Sequence, residues 1–345
     1  VRSEFPDTLF LLEGLGGKVE VMERLLADAN LNWAYSELFQ NYDRGQIEHF
    51  MPGYIRVSST LGVLVHFAET HDNTRLAARS RTYARLRTAL TALASHTGGF
   101  GITNGVEWLA EERVDVHGAP SLHWGNPDNL VPHIARLNAI LRQHPCFHQG
   151  AVVRLANPGS QNTLSLVRTA PRGGGQVTVL ANLDDGQPAW ISCSAGDLPA
   201  ARPLWDLLTG REVALAPEGD RAGCRLEPGE VLCLTAQPAD LEAVAGAGRS
   251  PASIPGRSVS QMLRAKALEI HRVFHRGMDA GDTDPARLAD ELAQDPRAFC
   301  LRMAVDGRRA ASRSVTVLGL YGHADRPGAT FPAIVSWDWP RDSRR

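Results

Sequence analysis

Cysteine is scarce in these 345 residues: Cys146, Cys193, Cys224, Cys233 and Cys300 are odd in number, scattered, and form no CxxC pair. That argues against a zinc ribbon and a disulfide framework; it suits a reducing compartment, so a cytoplasmic location is expected. No apolar run approaches the roughly 18–20 residues that cross a bilayer. No signal peptide is visible at the start, Val1-Arg2-Ser3-Glu4, which lacks a methionine. The formal charge is only -2, which removes the electrostatic case for nucleic acid or an anionic membrane as partner. GxGxxG, P-loop, GxSxG and HExxH patterns are all missing, so no cofactor and no metal is expected. Internal repeats and low-complexity segments are missing too.

What is present has ordinary globular proportions, 43% hydrophobic and 21% charged, in a length sufficient for two to three domains. The most informative stretch runs from Gly62 to Arg75. Gly62-Val63-Leu64-Val65-His66-Phe67 has the apolar, β-branched character of a strand buried on both faces. Glu69, His71, Asp72, Asn73 and Arg75 then crowd into seven positions. Tyr83, Leu86, Leu90 and Leu93 follow at helical spacing. A buried parallel strand that ends in polar residues and leads into a helix is how α/β enzymes present chemistry.

Thr8-Leu9-Phe10-Leu11-Leu12 repeats the arrangement, with Glu13 at its end and a glycine turn beyond. A helix stripe (Val21, Met22, Leu25, Leu26, Ala29), a strand near Leu31 to Tyr35 and a short helix from Arg44 to Met51 come next. Gly98 to Ile102 reads as another strand, with Asn104, Glu107 and Trp108 in the loop after it, and Leu130, Ile134, Leu137 and Leu141 as a helix. Four strand–helix units imply a parallel sheet with right-handed crossovers. After Pro145 the pattern changes to short strands near 152–155, 163–167, 177–181 and 231–234, separated by Gly, Pro, Asn and Asp; this is an antiparallel sandwich pattern. Residues 236–257, rich in Ala, Gly, Pro and Ser, read as a linker; two helices and a strand near 315–320 follow.

Each feature has a plain structural reading. Glu13 alone could cap its turn, and a His-Asp pair is often only a satisfied hydrogen bond. Together, two strand ends that deliver carboxylates toward one face fit acid–base chemistry on a polar substrate. Trp33, Tyr35, Trp108 and Trp124 could each be core, yet as a set they suit stacking on the apolar C–H faces of sugar rings. A metal set of His66, Glu69 and His71 is disfavoured, because strand alternation sends 66 and 71 to opposite sides.

These residues resemble the α-amylase clan, glycoside hydrolase family thirteen. FAETHDNTR (67–75) is similar to the region after the seventh barrel strand, where a His-Asp pair grips the sugar. LFLLEGLGG (9–17) resembles the fifth-strand region with its general acid/base glutamate, and FGITNGVEW (100–108) falls where the eighth strand and loop would lie. The stretch from 150 to 235 looks like the family's carboxyl-terminal β domain. Residues 258–345, ending in WDWPRD, resemble large bacterial glycogen-debranching proteins. The first four strands, the early Asp–Asn–His region and the Arg-x-Asp nucleophile region have no counterpart here.

The resemblance therefore implies an α/β chain. Residues 1–145 would be the carboxyl-terminal half of a (β/α)8 TIM barrel (strands five to eight) and 146–236 an antiparallel β-sandwich. A linker would occupy 237–257, and a partial mixed α/β tail, the start of a further module, 258–345. The parent would be a retaining α-glucan hydrolase or 4-α-glucanotransferase acting on glycogen, starch or maltooligosaccharides. Glu13 would be the acid/base, its pKa raised by partial burial, and Asp72 the transition-state stabiliser. His71, Asn73, Arg75, Trp33, Tyr35, Glu107 and Trp108 would bind substrate. The partner would be the missing amino-terminal half of the barrel, and the fragment alone would be inactive. A non-catalytic glucan-binding or scaffolding protein that keeps this half-site is the alternative.

Overall fold

Short apolar runs alternate with amphipathic ones over the first 145 residues, and they fold accordingly. The computed structural model describes residues 4, 8–15, 17–29, 31–36, 38–39, 43–96, 99–114, 122–123, 125–245, 256–275, 284–311, 316–321 and 333–338. The strands β1 (Leu11–Leu12), β2 (Trp33–Ser36), β3 (Val63–Phe67) and β4 (Phe100–Gly101) pair in parallel, in sequence order. Between and after them run α1 (Val19–Asp28), α2 (Arg44–Thr60), α3 (Leu76–Arg79), α4 (Arg81–Ala94) and α5 (Val131–Gln143). Strand alternation divides the sheet into two faces. Ala34 and Leu64 are buried with Met22, Leu26 and Val57 of the helices. Leu11, Trp33, Tyr35, Val63, Val65 and Phe67 take the other face, and none of the six is buried.

That is a correction to the expected strand buried on both faces: β3 is covered on one face only among the described residues. α2 is a second correction. It does not stop at Met51 but runs on through Pro52 to Thr60, started by a reciprocal cap between Asp43 and Gln46. Proline removes one ladder hydrogen bond, yet Ile47, Met51 and Val57 bury the helix on either side of it.

The next nine strands are β5 (Val152–Leu155), β6 (Thr163–Thr169), β7 (Gln176–Asn182), β8 (Ala189–Ser194), β9 (Leu204–Asp206), β10 (Glu212–Val213), β11 (Ala216–Glu218), β12 (Arg221–Leu226) and β13 (Val231–Thr235). They form an antiparallel six-stranded sheet, ordered β10-β9-β13-β7-β6-β5, and a three-stranded one, β11-β12-β8. Leu180, Leu232 and Leu234 of the larger sheet pack on Ile191, Cys193 and Leu226 of the smaller. Its opposite side, with Leu164, Leu166, Val177 and Val179, joins one core with Leu86, Leu90 and Leu93 of α4 and Leu137 and Ile140 of α5.

Three buried arginines stitch this junction through backbone carbonyls. Arg44 of α2 donates to Thr163 O and Asn157 O, both at 2.8 Å. Arg136 of α5 donates to Leu207 O and Val244 O. Arg168 of β6 donates to Leu93 O, Ser95 O and Cys146 O at 2.8–3.0 Å, over the Phe147 ring. It thereby fills carbonyls at the carboxyl end of α4, where a cation also suits the helix dipole.

The expected linker is partly structured: α6 (Pro238–Ala243) lies in it, and Val244 is buried in the main core. Beyond it, α7 (Gly256–Phe274), α8 (Pro285–Gln294) and α9 (Pro296–Ala311) share a separate core of Ile270, Phe274, Leu288, Leu292, Phe299 and Met303. A hairpin, β14 (Thr316–Tyr321) with β15 (Ala333–Asp338), follows. Among the described residues no helix is long and apolar enough to cross a membrane.

Candidate active site

Parallel strands in sequence order carry all their carboxyl ends to one edge of the sheet, so the segments after β1, β3 and β4 emerge side by side. Glu13 follows β1 and the Glu69–Arg75 stretch follows β3, two strand spacings away, roughly 10 Å. Glu13 is exposed. The burial expected to raise its pKa is therefore not supplied by the described residues.

The loop after β3 is tightly made. Thr70 donates its hydroxyl to Asn73 Oδ1 at 2.8 Å, and its own Oγ1 receives the Asp72 N–H at 3.3 Å. Asn73 N–H returns to Thr70 O. Asn73 thus holds the turn itself. The turn presents His71 and Asp72 outward, Nε2 to Oδ1 3.5 Å apart, with side chains 47% and 71% exposed.

Beneath the turn lies a buried charge cluster. Arg75 and Glu69 are 0% and 2% exposed, with Nε and Oε1 2.7 Å apart, out of line for a hydrogen bond but close enough for an ion pair. The other Glu69 oxygen accepts the Leu76 N–H at 2.5 Å and so caps α3. Arg75 Nη2 donates to Asn104 O, and Thr103 Oγ1 donates to Glu69 O, both at 2.8 Å. These bonds tie the β3 loop to the β4 loop. Gly105 (φ +97°) leaves room for the guanidinium: a Cβ there would lie 2.7 Å from Arg75 Nη2. Glu107 accepts the Gly105 N–H at 2.9 Å. Burial raises the pKa of Glu69 and of Glu107, outweighing the backbone N–H bonds and the Arg75 charge that pull each one down.

Arg75 and Trp108 are thereby corrected from substrate contacts to interior parts. The Arg75 charge is enclosed by Glu69 and the Asn104 carbonyl, and Trp108 is 7% exposed, with its carbonyl bound by Asn126. Trp33, 38% exposed, and Tyr35, edge-on to Phe67 at 4.6 Å, stand on the uncovered sheet face. Trp124 lies outside the described residues. The Glu69–Arg75 pair was missed by sequence reasoning: six positions apart, it meets only because residues 70–73 reverse the chain.

The metal set is not assembled. His66 faces the helices, Nδ1 2.8 Å from Ser36 Oγ, between Phe39 and Tyr54. Burial first, then the charges of His96 and Arg168, push its pKa down to about 3. Among the described residues no three His, Cys, Asp or Glu side chains could hold an ion.

No family model matches the chain, and no curated protein matches it in sequence. Solved structures do match. A gamma-CGTase from alkalophilic Bacillus clarkii is 16% identical with a TM-score of 0.52, over 68% of this chain and 37% of that one. A mutant of MutB in complex with glucose, MutB being a trehalulose synthase from Pseudomonas mesoacidophila, is 13% identical with a TM-score of 0.50, over 66% and 56%. The chain thus spans from about a third to just over half of these structures' lengths. At such identities the likeness is one of fold alone, a fold shared with this CGTase and this trehalulose synthase.

Proposed function

We propose that this chain is the carboxyl-terminal half of the catalytic barrel, with the following β domain, of a retaining α-glucan hydrolase or glucanotransferase. Residues 1–145 would supply strands five to eight, 146–236 the β domain, and 258–345 the start of a further module. The observation that carries the reading is the delivery of Glu13 and His71-Asp72 to one edge of a sequentially ordered parallel sheet whose other face is uncovered among the described residues. The glucose bound to the MutB mutant supports a sugar as ligand class.

In this reading Glu13 protonates the leaving glycosidic oxygen and then activates the incoming water or sugar hydroxyl. Asp72 and His71 hold sugar hydroxyls as the ring flattens toward an oxocarbenium ion. Retention needs a second carboxylate about 5–5.5 Å from Glu13, which the upstream half would provide. Glu69, Arg75 and Asn73 keep Asp72 in place without touching sugar. Trp33 and Tyr35 border the site from the sheet. The cysteines, all free, support the cytoplasm as compartment.

The full-length reading frame is the test. An aspartate two residues after an arginine, at the end of a fourth strand upstream, is the expected result. A complete upstream barrel half without that aspartate overturns the enzyme reading in favour of a glucan-binding protein.

A further inference from the structure

Away from the sheet edge, a cavity of about 520 Å³ opens where α4 and α5 meet the turns of the six-stranded sheet. That size lies within the roughly 300–1,000 Å³ usual for small-molecule sites. Arg81 and Arg85 enter from α4, His133 from α5, Arg211 from beyond the β9 turn, and Glu227 and Glu230 from the β12–β13 turn. Gly229 lets that turn close on α4: a Cβ at its φ of +64° would lie 2.6 Å from Thr82 Cγ2.

Most of the charge here is already committed. Arg81 pairs with Asp128 at 2.8 Å and Arg211 pairs with Glu230. Asp206, on the floor, accepts the N–H groups of Leu208, Thr209 and Cys233 and the Thr209 hydroxyl. Glu227 makes only a long, exposed contact with Arg225, at 3.8 Å, and two further groups are left over. Arg85 is exposed and carries no ion pair among the described residues. The His133 ring bonds the Arg85 backbone, while its Nε2 is buried and has no hydrogen-bond partner among the described residues. Burial first, and the Arg85 charge second, push the His133 pKa down to about 3, against a weaker upward pull from the Arg85 backbone. The imidazole is therefore neutral near pH 7.

We propose that this cavity binds a hydroxylated organic phosphate of about monosaccharide size, its phosphoryl group on Arg85 and its hydroxyls on Glu227, Thr209 and His133. An unpaired guanidinium is a natural phosphate donor. Carboxylate and hydroxyl oxygens are the acceptors that sugar hydroxyls need. A bare phosphate would leave most of the volume and the acidic rim unused. A neutral glucan would find no Trp, Tyr or Phe on the walls to stack against. The site is independent of the catalytic reading and stands or falls by itself.

Calorimetric titration of the 345-residue chain, with amide NMR shifts read alongside, tests this with three probes: glucose 6-phosphate, inorganic phosphate and glucose. Glucose 6-phosphate should bind saturably, at least about tenfold more tightly than either half, and shift amides near Arg85, Thr209 and Glu227. Arg85→Gln should weaken it about tenfold, and Glu227→Gln severalfold; both residues are exposed, so both variants should fold. The proposal is overturned by no binding at millimolar glucose 6-phosphate, by equal binding of inorganic phosphate, by tighter binding of glucose, or by affinity that Arg85→Gln leaves unchanged.

Discussion

Replacing Arg75 by methionine should damage the protein more than its position in a loop suggests. The Glu69 carboxylate would remain buried with only the Leu76 N–H for company, and breaking a buried pair costs about 3–5 kcal/mol. The cost should depend on pH. Burial holds the folded-state pKa of Glu69 above the unfolded one, so Glu69 favours folding below the ordinary carboxylate range. That contribution is lost as pH rises through the folded-state value. Without Arg75 the folded value climbs further, and the loss of stability should be larger at pH 8 than at pH 5. Urea midpoints of both proteins at the two pH values would show it; the same loss at both would clear Glu69 of the effect. In the full-length parent, Glu13→Gln should abolish turnover of ordinary glucans, keep glucan binding, and regain rate on substrates whose leaving group needs no proton. Wild-type rates on starch would remove Glu13 from the acid/base role. The strand-end positions of Glu13, His71 and Asp72 were legible because each lies within a few residues of the end of an apolar run. The Glu69–Arg75–Glu107 cluster was not, since its members meet across a reversed loop and a neighbouring strand.

Among the elements, α2 and α4 carry the plainest tests. Pro52 interrupts the ladder of α2 at an exposed position. Pro52→Ala restores an N–H and should stabilise the chain by about 1 kcal/mol or more, seen as a higher melting temperature. An unchanged or lower melting temperature would mean that the bend proline imposes is itself needed for packing. Arg168, its pKa lowered by burial to about 10, is still charged at neutral pH and holds three carbonyls. Arg168→Leu should destabilise by about 3 kcal/mol, because those carbonyls stay buried without a donor. The spacing of Leu86, Leu90 and Leu93 revealed α4, and β-branched runs revealed β5, β6, β7 and β13. The strands β8 (AWISCS) and β12 (RAGCRL) escaped notice: small, polar and cysteine residues dilute their alternation, and their sheet partners, not their composition, make them strands. Arg44 and Arg136 drew no notice in the sequence because their acceptors, 71 to 119 residues away, are backbone atoms that no side-chain pattern announces.

At the scale of the molecule, the uncovered sheet face governs behaviour in solution. Six half-buried or exposed hydrophobic residues on one face of β1, β2 and β3, with β1 and β4 the edge strands among the described residues, form a surface that water disfavours. The isolated chain should dimerise or aggregate through this face and show no glucan hydrolysis or transfer. Light scattering after size exclusion, beside an activity assay, would check both. A monomer with activity would mean that a nucleophile is present within these residues and that the half-barrel reading fails.

The arginine stitching has a consequence for how such a chain can diverge. The bonds described for Arg44, Arg136 and Arg168 across the junction all end on peptide carbonyls, a group supplied by any amino acid. The residues that supply those carbonyls can therefore change their side chains, outside the shared apolar core, without loss of the bond while the backbone path is kept. Besides the apolar core that the two sides share, the polar part of the joint needs only these three guanidinium positions to be inherited together. A junction specified in this way tolerates long drift in sequence, yet it would resist the exchange of one side for an unrelated sheet whose carbonyls fall elsewhere.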